Sequence, residues 1–294
     1  MSDTQASLLR MIGGAKDLQS VVRSMKALAA SGIVQYERSV AALAEYSHTI
    51  DLGLCVCLRR AGSTPADTGR GKDMDVGGAI IFGSDHGLVG QFNEVLVDFA
   101  LKTLVDWGGC LQVWAVGERI AARLADEALS LRGGFVLPNA VAGITPLVGQ
   151  ILMETEAFRS QSEGGPFYLF HNRPCQGGYT PVCQRLLPLD DAWRRRLQAL
   201  PWPTAQLPQV FGNSAATLGA LIGEYLFVSL FRACAESLAS ENASRLAAMQ
   251  RAEKNIEELL EELGGRFHRL RQSSIDQELF DIISGFEALS AKSD

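Results

Sequence analysis

Leu246-Ala-Ala-Met-Gln-Arg-Ala-Glu-Lys-Asn-Ile-Glu-Glu-Leu-Leu-Glu-Glu-Leu-Gly-Gly-Arg-Phe-His-Arg-Leu270 carries an apolar ladder at Leu246, Met249, Ala252, Ile256, Leu259, Leu263, Phe267 and Leu270. Its steps of three and four sit close to the 3.5 repeat of a coiled-coil seam. Beyond a polar collar, Arg271-Gln-Ser-Ser274, the ladder resumes at Ile275, Leu279, Ile282, Phe286 and Leu289. No proline falls between Phe211 and Ala291, so the spacing predicts one helix over that stretch. At ~1.5 Å per residue, roughly 80 residues would reach about 120 Å, several times the width of an ordinary domain. Such a helix cannot bury its stripe in a compact core. It needs a partner helix and, past the collar, a surrounding protein.

The partner is supplied at the other end of the chain. Leu8, Ile12, Ala15, Leu18, Val22, Met25, Ala29, Ile33, Tyr36, Val40, Leu43, Ser47 and Ile50 again step by three and four, predicting a second long helix over residues 4–58. The two would pair as an antiparallel coil. Gly13-Gly14 and Gly264-Gly265 are soft points, each glycine costing about 1 kcal/mol relative to alanine. A polar linker over residues 60–75 ends the first helix.

Between these helices the period changes. Short apolar runs at Val76–Phe82, Cys110–Val116, Phe135–Pro138, Phe167–His171 and Val182–Leu189 read as strands. Glu94–Trp107, Glu118–Leu129 and Thr145–Ser160 read as helices, and Gln176-Gly-Gly-Tyr179 as a hairpin turn. Alternating strands and helices imply a largely parallel, Rossmann-like sheet. Residues 190–209, with Pro201-Trp202-Pro203, read as an irregular connector. The expected organisation is therefore a coil helix over 1–58, a Rossmann-like α/β domain over 76–189, and a second coil helix over 209–294.

The 294 residues are 47% hydrophobic and 20% charged, a globular composition, and the net charge of −6 argues against nucleic acid as the main partner. No segment reads as a convincing membrane span: Leu218–Leu230 is short and contains Glu224. The six cysteines have no zinc spacing and read as reduced, packing residues. The glycine-rich segment Gly83-Ser-Asp-His-Gly-Leu-Val-Gly-Gln-Phe-Asn93 follows the first strand, where a phosphate-binding loop would sit. It lacks the Lys-Ser/Thr pair and the G-x-G-x-x-G spacing, which favours a structural turn. Ser84, Asp85 and His86 are adjacent in sequence, so their side chains diverge and cannot form a triad. Arg271-Gln272 interrupts the seam, either as a solvated surface or as a pair that a surrounding protein hydrogen-bonds. These residues alone give a long coil with an α/β insert, and leave open an α/β enzyme or ligand-binding protein oligomerised by the coil, or a coiled-coil scaffold.

Four stretches, spread over the chain, resemble the gamma subunits of F-type ATP synthases. They are Gln19–Ala30, Ser84–Asn93, Ser240–Met249, and Arg271-Gln272 followed by Ile275–Ala288. Departures include His86 for arginine, Val89 for cysteine, Gln91 for glycine, Asp276 for threonine and Phe286 for alanine, the marks of a divergent branch. The alternative sodium-moving F-type ATPase is one candidate branch, and the residues leave it open. The resemblance implies a central rotor without bond chemistry, cofactor or metal. It implies partners in the alpha and beta subunits of the catalytic ring, in epsilon and in the membrane c-ring, at the cytoplasmic face of the inner membrane. Residue by residue, Met25, Arg271 and Gln272 match positions that contact beta. Ile275, Glu278, Asp281 and Gly285 match the C-terminal signature, and Ser84, Asp85, Gly87, Gly90, Phe92 and Asn93 match a loop of the α/β domain.

Overall fold

The structure, a computed structural model, describes residues 4–60, 77–105, 111–127, 129, 131–161, 165–189, 191–206, 208, 209 and 213–290. The expected linker over 60–75 lies almost wholly outside them, as do Val76, Trp107 and Cys110. The elements run α1 (Gln5–Arg60), β1 (Gly77–Phe82), α2 (Phe92–Val105), β2 (Leu111–Val116), α3 (Glu118–Asp126), β3 (Leu131–Phe135), α4 (Ile144–Gln161), β4 (Phe167–Cys175), β5 (Gly178–Leu187), α5 (Asp191–Gln198) and α6 (Ser214–Ser290). Two compact units result, and α1 and α6 contribute residues to both.

One unit, Ala29–Arg245, is built on a five-stranded sheet of order β3-β2-β1-β4-β5. The first four strands are mutually parallel, and β5 returns antiparallel to β4 through the turn at Gln176-Gly177. Parallel neighbours need covered faces, and the strands read accordingly as continuous apolar runs. Along β1, Ala79 and Ile81 face one way and Ile80 and Phe82 the other, the period of two that a pleated strand imposes. Ala79 and Ile81 pack with Leu96, Val97 and Ala100 of α2 and Ile120 and Leu124 of α3. Ile80 and Phe82 pack with Ile144, Val148 and Ile151 of α4 and with Leu230, Cys234 and Leu238 of α6. The middle of α6 is thus a core helix of the α/β unit. By length and composition alone, Ser214–Ser284 of α6 is also apolar enough to cross a membrane, and 17% of its most apolar window is buried in the fold.

Two local expectations need correction. The third strand lies at Leu131–Phe135, not Phe135–Pro138. Its centre is Gly133-Gly134, a poor strand pair by propensity. A Cβ on Gly133 would stand 3.1 Å from Trp114 of β2, so the indole occupies the room a side chain would need. The connector also contains a helix, α5, because Trp193 and Leu197, four apart, share a face. Leu197 is buried with Ile50, Leu54 and Val228, and Trp193 meets Tyr225 edge-on at 5.1 Å. In this unit α1 and α6 run antiparallel: Gly32 faces Asn242, Tyr46 donates to Glu224 at 2.8 Å, and Gly53 faces Leu221.

The other unit, Met1–Leu28 with Leu246–Asp294, is the two-helix coil itself. Leu8, Ala15 and Val22 of α1 and Met249 and Leu263 of α6 are buried. The seam departs from the apolar ladder at single rungs. Leu18 is exposed and Gln19 half-buried, while Leu259 is exposed and Leu260 half-buried. The inner positions of α1 then fall at 8, 12, 15, 19, 22 and 26, and those of α6 at 249, 253, 256, 260, 263, 267, 270 and 274, a strict alternation of four and three. Two charged residues therefore sit on the seam, and they meet: Lys26 Nζ donates to Glu253 Oε2 at 2.7 Å, with Arg23 Nε on Oε1 at 3.0 Å. Those bonds, from Lys26 first and then Arg23, hold the Glu253 carboxyl below its usual range.

Candidate functional site

The glycine-rich segment after β1 closes on itself. The backbone N–H of Ser84 donates to Asn93 Oδ1 at 3.1 Å, and Asn93 Nδ2 donates to Ser84 Oγ at 2.8 Å. The Ser84 hydroxyl in turn donates to the carbonyl of His86 at 3.0 Å. Asp85 reaches across two further loops, its oxygens accepting from the backbone N–H of Glu118 and of Leu137, both at 2.9 Å. Polar groups that would face a phosphate are thus spent on the protein's own backbone. The close packing needs glycine at two points. A Cβ on Gly83 would stand 2.2 Å from Ile120, and Gly117, at φ 120°, would place one 2.7 Å from the Ser84 carbonyl. Gly90 takes the left-handed conformation at φ 60°, while Phe92 is buried against Tyr179 at 5.3 Å. Gly87 is half-buried in the loop.

This loop and its neighbours are fastened to α6 by a row of hydroxyls. Ser237 Oγ donates to the carbonyl of Phe82 at 3.1 Å, Ser240 Oγ to that of Asn172 at 3.0 Å, and Ser244 Oγ to that of Val89. The spacing of three and four keeps the three on one face of the helix. Asn172 Nδ2 completes the set by donating to the carbonyl of Phe92 at 3.0 Å. Glu241, on the same stretch of α6, is nearly buried and receives Arg245 Nη2 at 2.6 Å. Burial nonetheless pushes its carboxyl up, against the pull of Arg245.

A second polar cluster ties β4 to α6. His171 Nε2 and Arg173 Nε both lie 2.9 Å from Glu236 Oε2. Burial pushes the imidazole below its ordinary range, against the attraction of Glu236. His171 Nδ1 is buried and accepts no bond among the described residues. A proton there would leave an unsatisfied N–H, so the fitting form is the neutral tautomer with Nε2–H donating to Glu236. Burial raises the Glu236 carboxyl, but the bonds from His171 and Arg173 outweigh it and leave it below the usual range. The serine row and this cluster escaped the sequence reading. The only signal was small hydroxyl residues, three and four apart, interleaved with Glu236, Glu241 and Arg245 in the middle of a long helix.

In the coil unit, the remaining candidate residues spread along two helices. Met25 is half-buried on α1, and Arg271 and Gln272 are exposed on α6. Glu278 and Asp281 are exposed, and Gly285 lies within α6. Past the collar α6 presents bare hydrocarbon: Ile275 is 53% exposed, Leu279 55%, Phe280 68%, Ile282 70% and Ile283 45%. Among the described residues, no group of three or more His, Cys, Asp or Glu side chains is placed to hold a metal ion, and Cys55, Cys175, Cys183 and Cys234 are free thiols.

A family model described as ATP synthase matches residues 4–289. The chain is similar to the ATP synthase gamma chain of Hyphomonas neptunium, 27% identical over 293 residues, with 96% of this chain and 98% of that one covered. It is 26% identical over 289 residues to the ATP synthase gamma chain of Fuscovulum blasticum, at the same coverage. Among solved structures, a chain of the Euglena gracilis mitochondrial ATP synthase rotor superposes with a TM-score of 0.61 at 16% identity, over 92% of this chain and 98% of that one. A chain of the OSCP/F1/c-ring assembly from the same organism gives 0.65 at 13% identity, over 99% and 96%.

Proposed function

The chain belongs to the ATP synthase gamma family, and from that premise we propose how its residues serve a rotor. It is the gamma subunit of the central stalk, coupling ion flow through a membrane c-ring to ATP synthesis or hydrolysis in the alpha/beta ring. The observation that carries the residue-level reading is the bare apolar end of α6. Five large side chains from Ile275 to Ile283 stand about half or more exposed. Side chains of that kind crowded at one end mark a surface that another protein covers. A sleeve formed by the alpha/beta ring supplies that cover without a fixed polar register, so the helix can turn inside it. At the rim of the sleeve stand Arg271 and Gln272, whose guanidinium and amide are suited to a carboxylate-bearing loop of beta. Met25 meets the moving arm of beta on the other helix.

The serine row and the Glu236 cluster give the α/β unit a firm hold on α6, so a load on that unit passes into the helix rather than slipping along it. That unit is the foot that bears on the c-ring beside epsilon, at the cytoplasmic face of the membrane. A shaft of two unlike helices presents a different face to each beta subunit as it turns. Differential contact with the states of a site is what shifts its equilibrium. Bond chemistry stays with the ring, and this chain contributes no catalytic residue of its own.

The test is Arg271→Ala with Gln272→Ala in a reconstituted complex. Both side chains are exposed, so the double variant should fold and melt as the parent does. Coupled ATPase turnover should fall severalfold. Parental coupled turnover would remove the role given to the collar.

A further inference from the structure

The coil unit holds two double glycines, Gly13-Gly14 on α1 and Gly264-Gly265 on α6. Their relative level follows from the ion pairs. Glu253 meets Arg23 and Lys26. In an antiparallel coil, moving from Glu253 to Gly264 on α6 moves the facing level from Arg23–Lys26 back to Ile12–Ala15 on α1. The two glycine pairs therefore lie at one level of the coil, flanking the buried seam residues Ala15 and Leu263. Neither helix carries a second double glycine elsewhere.

Packing does not demand these glycines. A Cβ built on Gly13, Gly14, Gly264 or Gly265 meets nothing within 4 Å. Gly32 and Gly53 of α1 differ, since a Cβ there would press to 3.1 Å on Asn242 and 3.3 Å on Leu221. No φ in the left-handed region explains the four residues either, for all lie inside regular helix. What they do change is helix weight. Each glycine lowers the statistical weight of the helical state about fivefold relative to alanine. Two on each strand of the coil, at one level, weaken both helices at the same place, where the seam contact is made by the small Ala15 and by Leu263.

We propose that Gly13-Gly14 and Gly264-Gly265 form a single paired joint, the level at which both helices of the coil open and bend together under load. Its use in a rotor rests on the family reading; its existence does not. On either side the coil is held, by the buried Leu8 toward the α1 terminus and by the Lys26–Glu253 lock toward the other. Bending is thus confined to a short segment rather than spread along the shaft.

Hydrogen exchange on the full chain, read amide by amide, tests this. Gly264→Ala with Gly265→Ala should slow exchange roughly tenfold or more over residues 266–269. It should also slow exchange severalfold over residues 12–18 of the helix that was left untouched. Gly13→Ala with Gly14→Ala should show the reciprocal effect over residues 261–268. Slowing confined to the substituted helix would mean two separate soft points, and no slowing in either variant would mean no joint. Both results would overturn the proposal, and neither would touch the rotor reading, since the measurement needs no ring.

Discussion

Asp85 shows how a residue that resembles a ligand-binding group can instead be a fastener. Each of its oxygens accepts one backbone N–H, from Glu118 and from Leu137. Asp85→Ala should leave both donors unsatisfied and destabilise the α/β unit by about 2 kcal/mol, measured by urea unfolding. An unchanged midpoint would show that water replaces the carboxylate. His171 makes a pH prediction whose sign is fixed. Its folded pKa lies below the ordinary 6.5, so below that value the unfolded chain binds more protons and stability falls as pH drops. Glu236, depressed in the fold, adds a loss at lower pH, as its own carboxyl is protonated. His171→Gln keeps a donor for Glu236 but cannot titrate. The stability difference between pH 7.5 and 5.5 should shrink in that variant, and an equal difference would place the proton elsewhere.

At the scale of elements, α1 and α6 were legible because a seam of period 3.5 needs nothing but apolar spacing. Single rungs were not. From Ala15 to Val22 the chain can step through Leu18 or Gln19, and from Ile256 to Leu263 through Leu259 or Leu260. Both choices keep steps of three and four. Apolarity favoured Leu18, but the phase of the whole repeat selects Gln19, and with it Lys26 and Glu253, residues no hydrophobic count would place inside. The strands β1, β2 and β4 were legible as buried runs, whereas β3 was hidden by Gly133 and Gly134, the first of which lies against Trp114 and Glu154. Of the candidate site, the loop from Ser84 to Asn93 could be located but not interpreted. Its partners, the carbonyls and serines of distant elements, come together only in the fold. An element-level consequence is that Gly264→Ala with Gly265→Ala should stabilise the coil by about 2 kcal/mol and raise its melting temperature by a few degrees. A lower melting temperature would show that the glycines serve packing.

For the whole molecule, the combination that matters is an α/β unit whose sheet is locked onto the middle of α6, and a coil unit whose far helix end is bare. A free-standing protein gains nothing from five exposed apolar side chains between Ile275 and Ile283. In the rotor role proposed above they meet a surrounding sleeve, in which a hydrocarbon surface can slide where hydrogen bonds would hold it in register. The mechanical reading also explains why polar residues of the glycine-rich loop serve internal contacts. Torque crosses the α/β unit only if that unit does not yield. The most direct measurement is co-expression with alpha and beta subunits of the same complex, followed by gel filtration and an ATPase assay with and without this chain. One copy should enter each ring and accelerate steady hydrolysis. A chain that elutes apart from the ring and leaves its turnover unchanged would contradict the rotor account.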